Sequence, residues 1–169
     1  MPIETVVHGS NQYPLFTTKG NAAKYIMEFA KEIVKGGVIY DIGYGKDEWK
    51  FPGAIGIDLK DGNEYDAMHL PDAPADAVFN SHLFEHLERP YEAIDVWYEK
   101  LKVGGTLFMY LPNMDTQSYH RPWSNRKHLH WVSPHIMRMY FNDNKDKWGN
   151  VFISERDSYD AFTCFAEKI

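Results

Sequence analysis

A glycine bend directly after a short apolar run restricts the fold of this chain more than any other feature. Residues 38–42 have the β-branched, apolar composition of a buried parallel strand, and Gly43 and Gly45 follow at once. Glycines at such a bend let backbone amides approach a bulky polar ligand, where a Cβ would clash. Because ligands of open parallel sheets lie at the carboxyl ends of the strands, the bend predicts a ligand site on an α/β fold.

The rest of the chain alternates predicted strands with predicted helices. Helices are expected over residues 19–35, 91–101 and 134–141, and strands over 38–42, 54–59, 76–80, 106–111, 151–154 and 161–166. This alternation predicts an α/β, Rossmann-like fold with a mostly parallel central sheet and helices on both faces. No internal repeat or linker interrupts it, so residues 1–169 are expected to form one domain.

An acid at the end of the second strand narrows the kind of ligand. Asp58 lies seventeen residues beyond Asp41, where a carboxylate can accept hydrogen bonds from two ribose hydroxyls. A nicotinamide dinucleotide would require a third glycine where Glu48 stands, and a carboxylate beside two phosphates is unfavourable. S-adenosylmethionine has no phosphate and carries positive charge, so the acidic surroundings favour it.

Six short motifs occur in an order that resembles the class I S-adenosylmethionine-dependent methyltransferases. The resemblance is to members that combine D-x-G-x-G with L-x-E-H, and it covers residues 38–45, 56–59, 66–71, 76–87, 102–107 and 111–113. Asp47 stands where the family often has a third glycine. Only residues 46–52 separate the bend from the next strand, so the helix usual there is expected to be vestigial or missing, with Trp49 or Phe51 covering the cofactor instead.

The resemblance implies a cofactor site and roles for its residues. The predicted cofactor-binding residues are Asp41, Gly43, Tyr44, Gly45, Asp58, Leu59, Asp66, Ala67, Asn80 and Ser81. The bend residues would hold the methionine portion, with Tyr44 narrowing its pocket, and Asp58 would hold the ribose. Asp66 and Ala67 would meet the adenine edge, and Asn80 would support the amino-acid end. The alternative for the two loop acids, Asp58 and Asp66, is that they are simply solvated.

Three side chains after the third strand are the candidates for the chemistry. His82, Glu85 and His86 stand at i, i+3 and i+4 and can share one face of a helical turn. Glu85 and His86 could only orient the turn, or His86 or His82 could act as a general base. The three could also bind a divalent metal with His128 or His130, which resembles metal-assisted O-methyltransferases acting on ubiquinone precursors or on the 3′-terminal ribose of small RNAs.

A hard metal ion would prefer more carboxylates than this turn offers, so the sequence predicts no metal. The predicted catalytic residues are therefore His86, Glu85 and His82.

The charge of the chain is uneven. The net charge is −6, yet residues 119–147 contain six Lys and Arg against two Asp and Glu, so that this segment carries positive charge. Its first part interleaves cations and imidazoles with indoles: His120, Arg121, Trp123, Arg126, Lys127, His128, His130 and Trp131. Such a segment suits an anionic or sugar-like acceptor, whereas the acidic remainder disfavours extended nucleic-acid contact. We expect residues 36–113 to bind the cofactor and residues 114–148 to recognise the substrate.

The remaining features concern compartment. Cys164 is the single cysteine and lies in the apolar run 161–166, which predicts a buried structural thiol. The N-terminus has no signal-peptide pattern, and no stretch approaches the roughly 20 apolar residues of a membrane span. The expectation is a soluble, cytoplasmic protein.

Together these features predict an enzyme that methylates an oxygen or nitrogen atom of a small-molecule or saccharide acceptor. Two alternatives remain open: a non-catalytic module that binds the cofactor or a partner, suggested by the compact size and altered bend, and an RNA-terminal O-methyltransferase.

Overall fold

The computed structural model of the chain describes residues 4–62, 64–115 and 127–169. Within them lie eight strands and three helices. In chain order these are β1 (Thr5–His8), β2 (Asn11–Pro14), α1 (Ala23–Ile33), β3 (Ile39–Ile42), β4 (Ile55–Ile57), β5 (Ala75–Ser81), α2 (Pro90–Lys100), β6 (Leu101–Pro112), α3 (Pro134–Asp143), β7 (Trp148–Ile153) and β8 (Ala161–Lys168).

Six of the strands form one mixed sheet in the order β4-β3-β5-β6-β8-β7. The first four strands in this order are parallel, and β8 runs antiparallel to both β6 and β7. β1 and β2 form a separate antiparallel hairpin. The predicted α/β architecture with a mostly parallel sheet is confirmed.

The strand order creates a crevice beside β3. From β3 the chain passes to β4 on one side and then returns to β5 on the other side. Connections that leave a strand in opposite directions open a crevice at the carboxyl ends of the strands. The bend at Gly43 after β3 and the turn at His82 after β5 therefore meet at the same edge of the sheet.

Side chains on the two faces of the sheet alternate, because successive residues of a strand point to opposite sides. One face packs under α1 and includes Ile39, Phe79 and Phe108. The other face packs with residues of α2 and α3, among them the fully buried Trp97 of α2. Burying an aliphatic or phenylalanine side chain in such a core stabilises the fold by roughly 1.5–3 kcal/mol relative to exposure. Helices thus cover both faces and leave the strand ends at the crevice accessible.

Several predicted boundaries shift in the structure. α1 begins at Ala23 rather than at residue 19, because Asn21 adopts a positive φ of 65°, which a right-handed helix does not allow; a separate 3-10 turn precedes it at Leu15–Thr18. The Asn21 side chain accepts a hydrogen bond from the Lys24 amide over 3.3 Å and so caps the first turn. In place of the helix that usually follows such a bend, the chain has only a 3-10 turn at Asp47–Trp49, as predicted.

Two further sequence expectations concern the core and membranes. Cys164 is buried within β8, as expected of a structural thiol, and burial raises the pKa of its side chain. Among the helices of the described residues, none is both long enough and apolar enough to cross a membrane.

Candidate functional site

The glycine bend is hydrogen-bonded to the last residue of β4 and to the acid that directly follows it. The Gly43 amide donates to the Ile57 carbonyl over 2.7 Å, and the Gly45 amide donates to Oδ2 of Asp58 over 3.0 Å. Both glycines have positive φ, 74° and 72°. A Cβ on Gly43 would lie 2.8 Å from a Leu83 side-chain carbon, so conformation and crowding both require glycine there.

A buried carboxylate lies at the end of β3, directly before the bend. Asp41 is 1% exposed, and its Oδ2 accepts a hydrogen bond from the Phe51 amide over 2.6 Å. Burial raises the pKa of Asp41 to about 7, although the Phe51 amide and the nearby Lys50 charge oppose the shift. A cation that enters the crevice would therefore stabilise the ionised form of Asp41.

The crevice contains a cavity of about 170 Å³ at the bend. Five of the predicted cofactor-binding residues line it: Asp41, Gly43, Tyr44, Gly45 and Ser81. The Ser81 hydroxyl is buried and has no hydrogen-bond partner among the described residues. Trp49 lines the cavity as well, and a Cβ on Gly45 would lie 3.1 Å from its ring. Trp49 therefore covers the bend in the place of the missing helix, whereas Phe51 is buried beneath it and packs on Phe79.

Tyr44 does not point its hydroxyl into this cavity. The hydroxyl donates to Oδ1 of Asp61 over 2.9 Å, and a Cβ on Gly56 would lie 2.5 Å from the Tyr44 ring. The Lys60 ammonium lies 3.9 Å from the centre of the same ring. The aromatic ring thus packs on the segment after β4, on the side of the bend where Asp58 lies.

The other five predicted cofactor-binding residues do not line the 170 Å³ cavity. Asp58 is half-buried next to the bend, and Leu59 after it is 80% exposed. The Asp66 carboxylate accepts hydrogen bonds from the Met68 and His69 amides and so closes its own turn.

The Ala67 carbonyl accepts a hydrogen bond from Nε1 of Trp97 over 2.8 Å, which ties the same turn to α2. Asn80 is fully buried at the end of β5, and neither atom of its amide group has a hydrogen-bond partner among the described residues.

A second cavity, of about 340 Å³, adjoins the first. The two share Asn21, Ala22 and His82 as lining residues. All three predicted catalytic residues line the second cavity, together with His128. The arrangement provides two neighbouring compartments that meet at His82.

Glu85 is the centre of the polar side of this second cavity. Its side chain is fully buried, and Oε1 lies 3.6 Å from Nδ1 of His82 and 3.6 Å from Nε2 of His86. Neither carboxylate oxygen accepts a hydrogen bond from a described residue. Burial raises the pKa of Glu85 to about 8, because the ionised form loses its hydration.

The two histidines beside Glu85 each donate to a backbone carbonyl, His86 through its ring and His82 through its backbone amide. Nδ1 of His86 lies 2.8 Å from the Lys127 carbonyl, so Nδ1 donates and Nε2 keeps the lone pair in the neutral ring. Burial lowers the pKa of His86. His82 has a positive φ of 53°, and its amide donates to the Tyr110 carbonyl over 2.8 Å. A strained backbone at such a position is typical of functional sites.

The aromatic side of the second cavity was missed by the sequence analysis. Tyr25 and Tyr159 stack with ring centres 3.8 Å apart, and Phe16 packs edge-on against Tyr159 at 5.2 Å. These residues come from segments far apart in the chain and match no motif. The high aromatic content was the one available signal.

Of the segment predicted to recognise the substrate, residues 114–148, the structure describes residues 114–115 and 127–148. His120, Arg121, Trp123 and Arg126 lie outside the described residues. His128 lines the second cavity, and Lys127 contributes the carbonyl that binds His86. Trp131 is half-exposed and donates from Nε1 to Asp115 over 2.8 Å. His130 donates its amide to the Glu85 carbonyl at 3.3 Å.

Comparison with known proteins gives a family match. Residues 44–109 match the family model described as a methyltransferase domain. This range contains the second half of the glycine bend, Asp58 and all three predicted catalytic residues. None of the curated proteins matches the chain.

Solved structures of similar fold are methyltransferases of low sequence identity. One from Archaeoglobus fulgidus, described as dependent on S-adenosylmethionine, has a TM-score of 0.63 at 18% identity over 86% of this chain and 92% of its own. A possible histamine N-methyltransferase from Thermotoga maritima has a TM-score of 0.64 at 14% identity, covering 88% and 89%.

Phosphoethanolamine N-methyltransferase 2 of Haemonchus contortus, in complex with S-adenosyl-L-methionine, has a TM-score of 0.60 at 15% identity. The match covers 88% of this chain and 52% of that one. At these identities the likeness establishes the fold, and the predicted Rossmann-like class is confirmed.

Proposed function

We propose that this chain is a class I S-adenosylmethionine-dependent methyltransferase with S-adenosylmethionine as its cofactor, which the match of residues 44–109 and the fold of the similar structures support. The proposed reaction is methylation of an oxygen or nitrogen atom of a small-molecule or saccharide acceptor. The observation that carries it is the pair of adjoining cavities that meet at His82. Because the family match supports an enzyme, the alternative of a non-catalytic module is set aside.

The residues at the bend fit the methionine portion of the cofactor. The buried Asp41 carboxylate is suited to an ammonium group, and the unpartnered Ser81 hydroxyl is suited to a carboxylate. The side-chain-free surfaces of Gly43 and Gly45 leave room for the ligand against the backbone. A cavity of about 170 Å³ is small for the whole cofactor, so we assign only the methionine end to it.

We assign the nucleoside of the cofactor to the side of the bend on which Asp58 lies. Both Asp58 oxygens already accept a backbone amide, from Gly45 and from Lys60, yet each keeps a second lone pair for a ribose hydroxyl. Asp66 and Ala67 remain the proposed contacts of the adenine edge, with Leu59 beside them. For Asn80, whose buried amide group lacks a partner among the described residues, we retain the role of supporting the amino-acid end.

The second cavity supports a small acceptor. Its volume of about 340 Å³ is at the lower end of the range for ligand pockets, roughly 300–1,000 Å³. The stacked Tyr25 and Tyr159 offer an aromatic wall for a flat or sugar ring, and Glu85 with its imidazoles offers polar contacts for a hydroxyl or amine. We therefore extend the proposed acceptor site from residues 114–148 to include residues 16–25.

When bound, S-adenosylmethionine supplies an electrophilic methyl group on a positively charged sulfur. The protein has to align the acceptor, exclude water and receive the acceptor's proton. His82 is the proposed proton acceptor because it lines both cavities. Oε1 of Glu85 lies 3.6 Å from Nδ1 of His82, so the ionised form of Glu85 would stabilise the imidazolium that forms; His86, at the same distance from this oxygen, would help to orient the acceptor.

A methyl-transfer assay tests the proposal. The protein is incubated with S-adenosylmethionine carrying a labelled methyl group and with separate sets of phenols, amines, saccharides and short RNAs. Transfer of label to a small molecule or saccharide is the expected result. Label found only on RNA would replace the proposed acceptor with the RNA-terminal alternative, and absence of transfer to every set would overturn the acceptor proposal.

A further inference from the structure

Three potential metal ligands from two separate segments converge in the acceptor cavity. Glu85 and His86 come from the turn after β5, and His128 comes from the segment before α3. One ligand atom from each of the three lies within 4.8 Å of the others. Glu85 is fully buried and the two histidines are half-buried, so the cluster is not a solvated surface group.

The Glu85 carboxylate lacks the partners that a buried charge requires. Its side chain is 0% exposed, and neither oxygen accepts a hydrogen bond from any described residue. The nearest cationic candidates, the rings of His82 and His86, lie 3.6 Å away, beyond hydrogen-bond distance. A buried carboxyl group without hydrogen bonds forms a stable anion only when it is paired with a cation or bound to a metal, so a metal ion beside Glu85 would supply the missing partner.

The tautomer of His86 suits a ligand. Its Nδ1 donates to the Lys127 carbonyl over 2.8 Å, so that the lone pair of the neutral ring resides on Nε2, the nitrogen nearest Glu85. Histidines that bind metals almost always donate their other ring N–H to a carbonyl or carboxylate. The ring of His128 stands edge-on to that of His86 with centres 4.8 Å apart.

Backbone hydrogen bonds hold the two segments together. The amides of Leu129 and His130 both donate to the Glu85 carbonyl, over 2.8 and 3.3 Å. The segment that carries His128 is therefore fixed to the turn that carries the other two side chains. This pre-organisation is what a metal site needs from its supporting residues.

We propose that Glu85, His86 and His128 bind a divalent transition-metal ion such as Zn²⁺. Two imidazoles and one carboxylate are unlike the all-oxygen sets of Mg²⁺ and Ca²⁺ and are the ligand types of zinc and similar ions. The prediction of no metal weighed a hard ion only, and it did not fix which histidine from the later segment completes the cluster.

This inference rests on the proposed function and narrows its acceptor. Three protein ligands would leave an open coordination position for a substrate atom, and all three side chains line the acceptor cavity. A metal-bound hydroxyl loses its proton more readily than a free one. The acceptor atom is therefore an alcohol or phenol oxygen rather than an amine nitrogen, and His82, which is not one of the ligands, is left to receive the proton.

The test is metal binding by untagged protein that has been stripped with a chelator, in the absence of cofactor and acceptor. Calorimetry with Zn²⁺ alone is expected to give one site, and Co²⁺ is expected to give the visible absorption of a protein-bound ion. His128→Ala and Glu85→Gln are expected to lower the affinity on the order of 100-fold. His135→Ala, on the exposed face of α3, is the matched control and is expected to bind like the wild type.

Failure of this inference and failure of the proposed function are distinguishable. No Zn²⁺ binding by the wild type, or unchanged affinity in His128→Ala, would overturn the metal site, since His128 is half-buried and its loss leaves the core intact. Labelled methyl transfer by the fully stripped protein at the wild-type rate would overturn the acceptor role of the metal, with the methyltransferase proposal still standing. Wild-type Zn²⁺ affinity in both His128→Ala and Glu85→Gln would also contradict the assignment of these two side chains as metal ligands.

Discussion

The Gly45 amide lies 3.0 Å from Oδ2 of Asp58, so the glycine bend and the acid after β4 form one hydrogen-bonded unit. The other oxygen of the same carboxylate accepts a hydrogen bond from the Lys60 amide over 3.1 Å. Asp58 thereby sets the shape of the bend and keeps lone pairs for a ligand. Because Asp58 both anchors the bend and is available to the ligand, its substitution should weaken cofactor binding by more than the loss of a single contact.

Asp58→Ala is expected to weaken S-adenosylmethionine binding by about 10- to 100-fold, because two hydrogen bonds to a charged group are lost and the bend loses its anchor. Isothermal calorimetry measures the effect. Asp47→Ala removes an exposed acid from the neighbouring 3-10 turn and should leave the affinity unchanged. Equal affinities of Asp58→Ala and the wild type would disprove the ribose assignment.

Gly43→Ala is expected to lower the free energy of unfolding by about 2–4 kcal/mol, because backbone strain at positive φ adds to the contact with Leu83. Gly53→Ala is the control, since its φ is 78° and a Cβ there meets nothing within 4 Å. That variant should lose only about 1 kcal/mol. Urea unfolding of both variants tests the difference, and equal losses would show that Leu83 does not crowd the bend.

The affinity for S-adenosylmethionine is expected to rise between pH 6 and pH 8. Burial raises the pKa of Asp41 to about 7, so below that pH a proton must leave before the carboxylate can pair with the ammonium group. Asp41→Asn should bind more weakly and with a flatter pH profile. Calorimetry at several pH values in buffers of matched ionic strength measures both effects, and a wild-type profile as flat as that of the variant would contradict the prediction.

The same Asp41 shift has a consequence for stability. Because its pKa is higher in the folded chain than the ordinary value of 3.8, folding favours the protonated form. The contribution of Asp41 to stability is therefore greatest at low pH and declines as the pH rises from about 4 to about 7. Asp41→Asn should lack this decline, so the unfolding free energy of the wild type minus that of the variant, measured with urea, should fall across that pH range.

His82→Asn is expected to lower the turnover number by about 10²–10⁴-fold while leaving the affinity for the cofactor near that of the wild type. Asparagine tolerates the positive φ of this position better than alanine does, so the backbone should be preserved. Single-turnover kinetics with a labelled methyl donor separates chemistry from binding. Wild-type turnover in this variant would exclude His82 as the proton acceptor.

Local patterns predicted the parts of the fold that depend on neighbours in sequence. The apolar run at residues 38–42 and the glycines after it specify a strand and a bend, because both depend on short-range sterics. The start of α1 was missed because the 3-10 turn at Leu15–Thr18 and the capping Asn21 replace its first turn. The β1–β2 hairpin has no strong apolar alternation and was not predicted.

The candidate site was predicted where motifs carry it and missed where distant segments meet. His82, Glu85 and His86 share a turn, so their spacing alone brings them together. Tyr25, Tyr159 and His128 reach the same cavity only through the packing of the sheet edge and the segment before α3. No local pattern encodes such contacts, which is why the aromatic wall, and the choice of His128 rather than His130 as the third metal ligand, required the structure.

The most direct test of the account is a crystal structure of the chain with S-adenosylhomocysteine. We expect the amino-acid end of the ligand between Asp41 and Ser81, its ribose hydroxyls at Asp58, and its sulfur beside His82, with the 340 Å³ cavity left for the acceptor. A ligand seated in the larger cavity, or one that touches neither Asp41 nor Asp58, would contradict it.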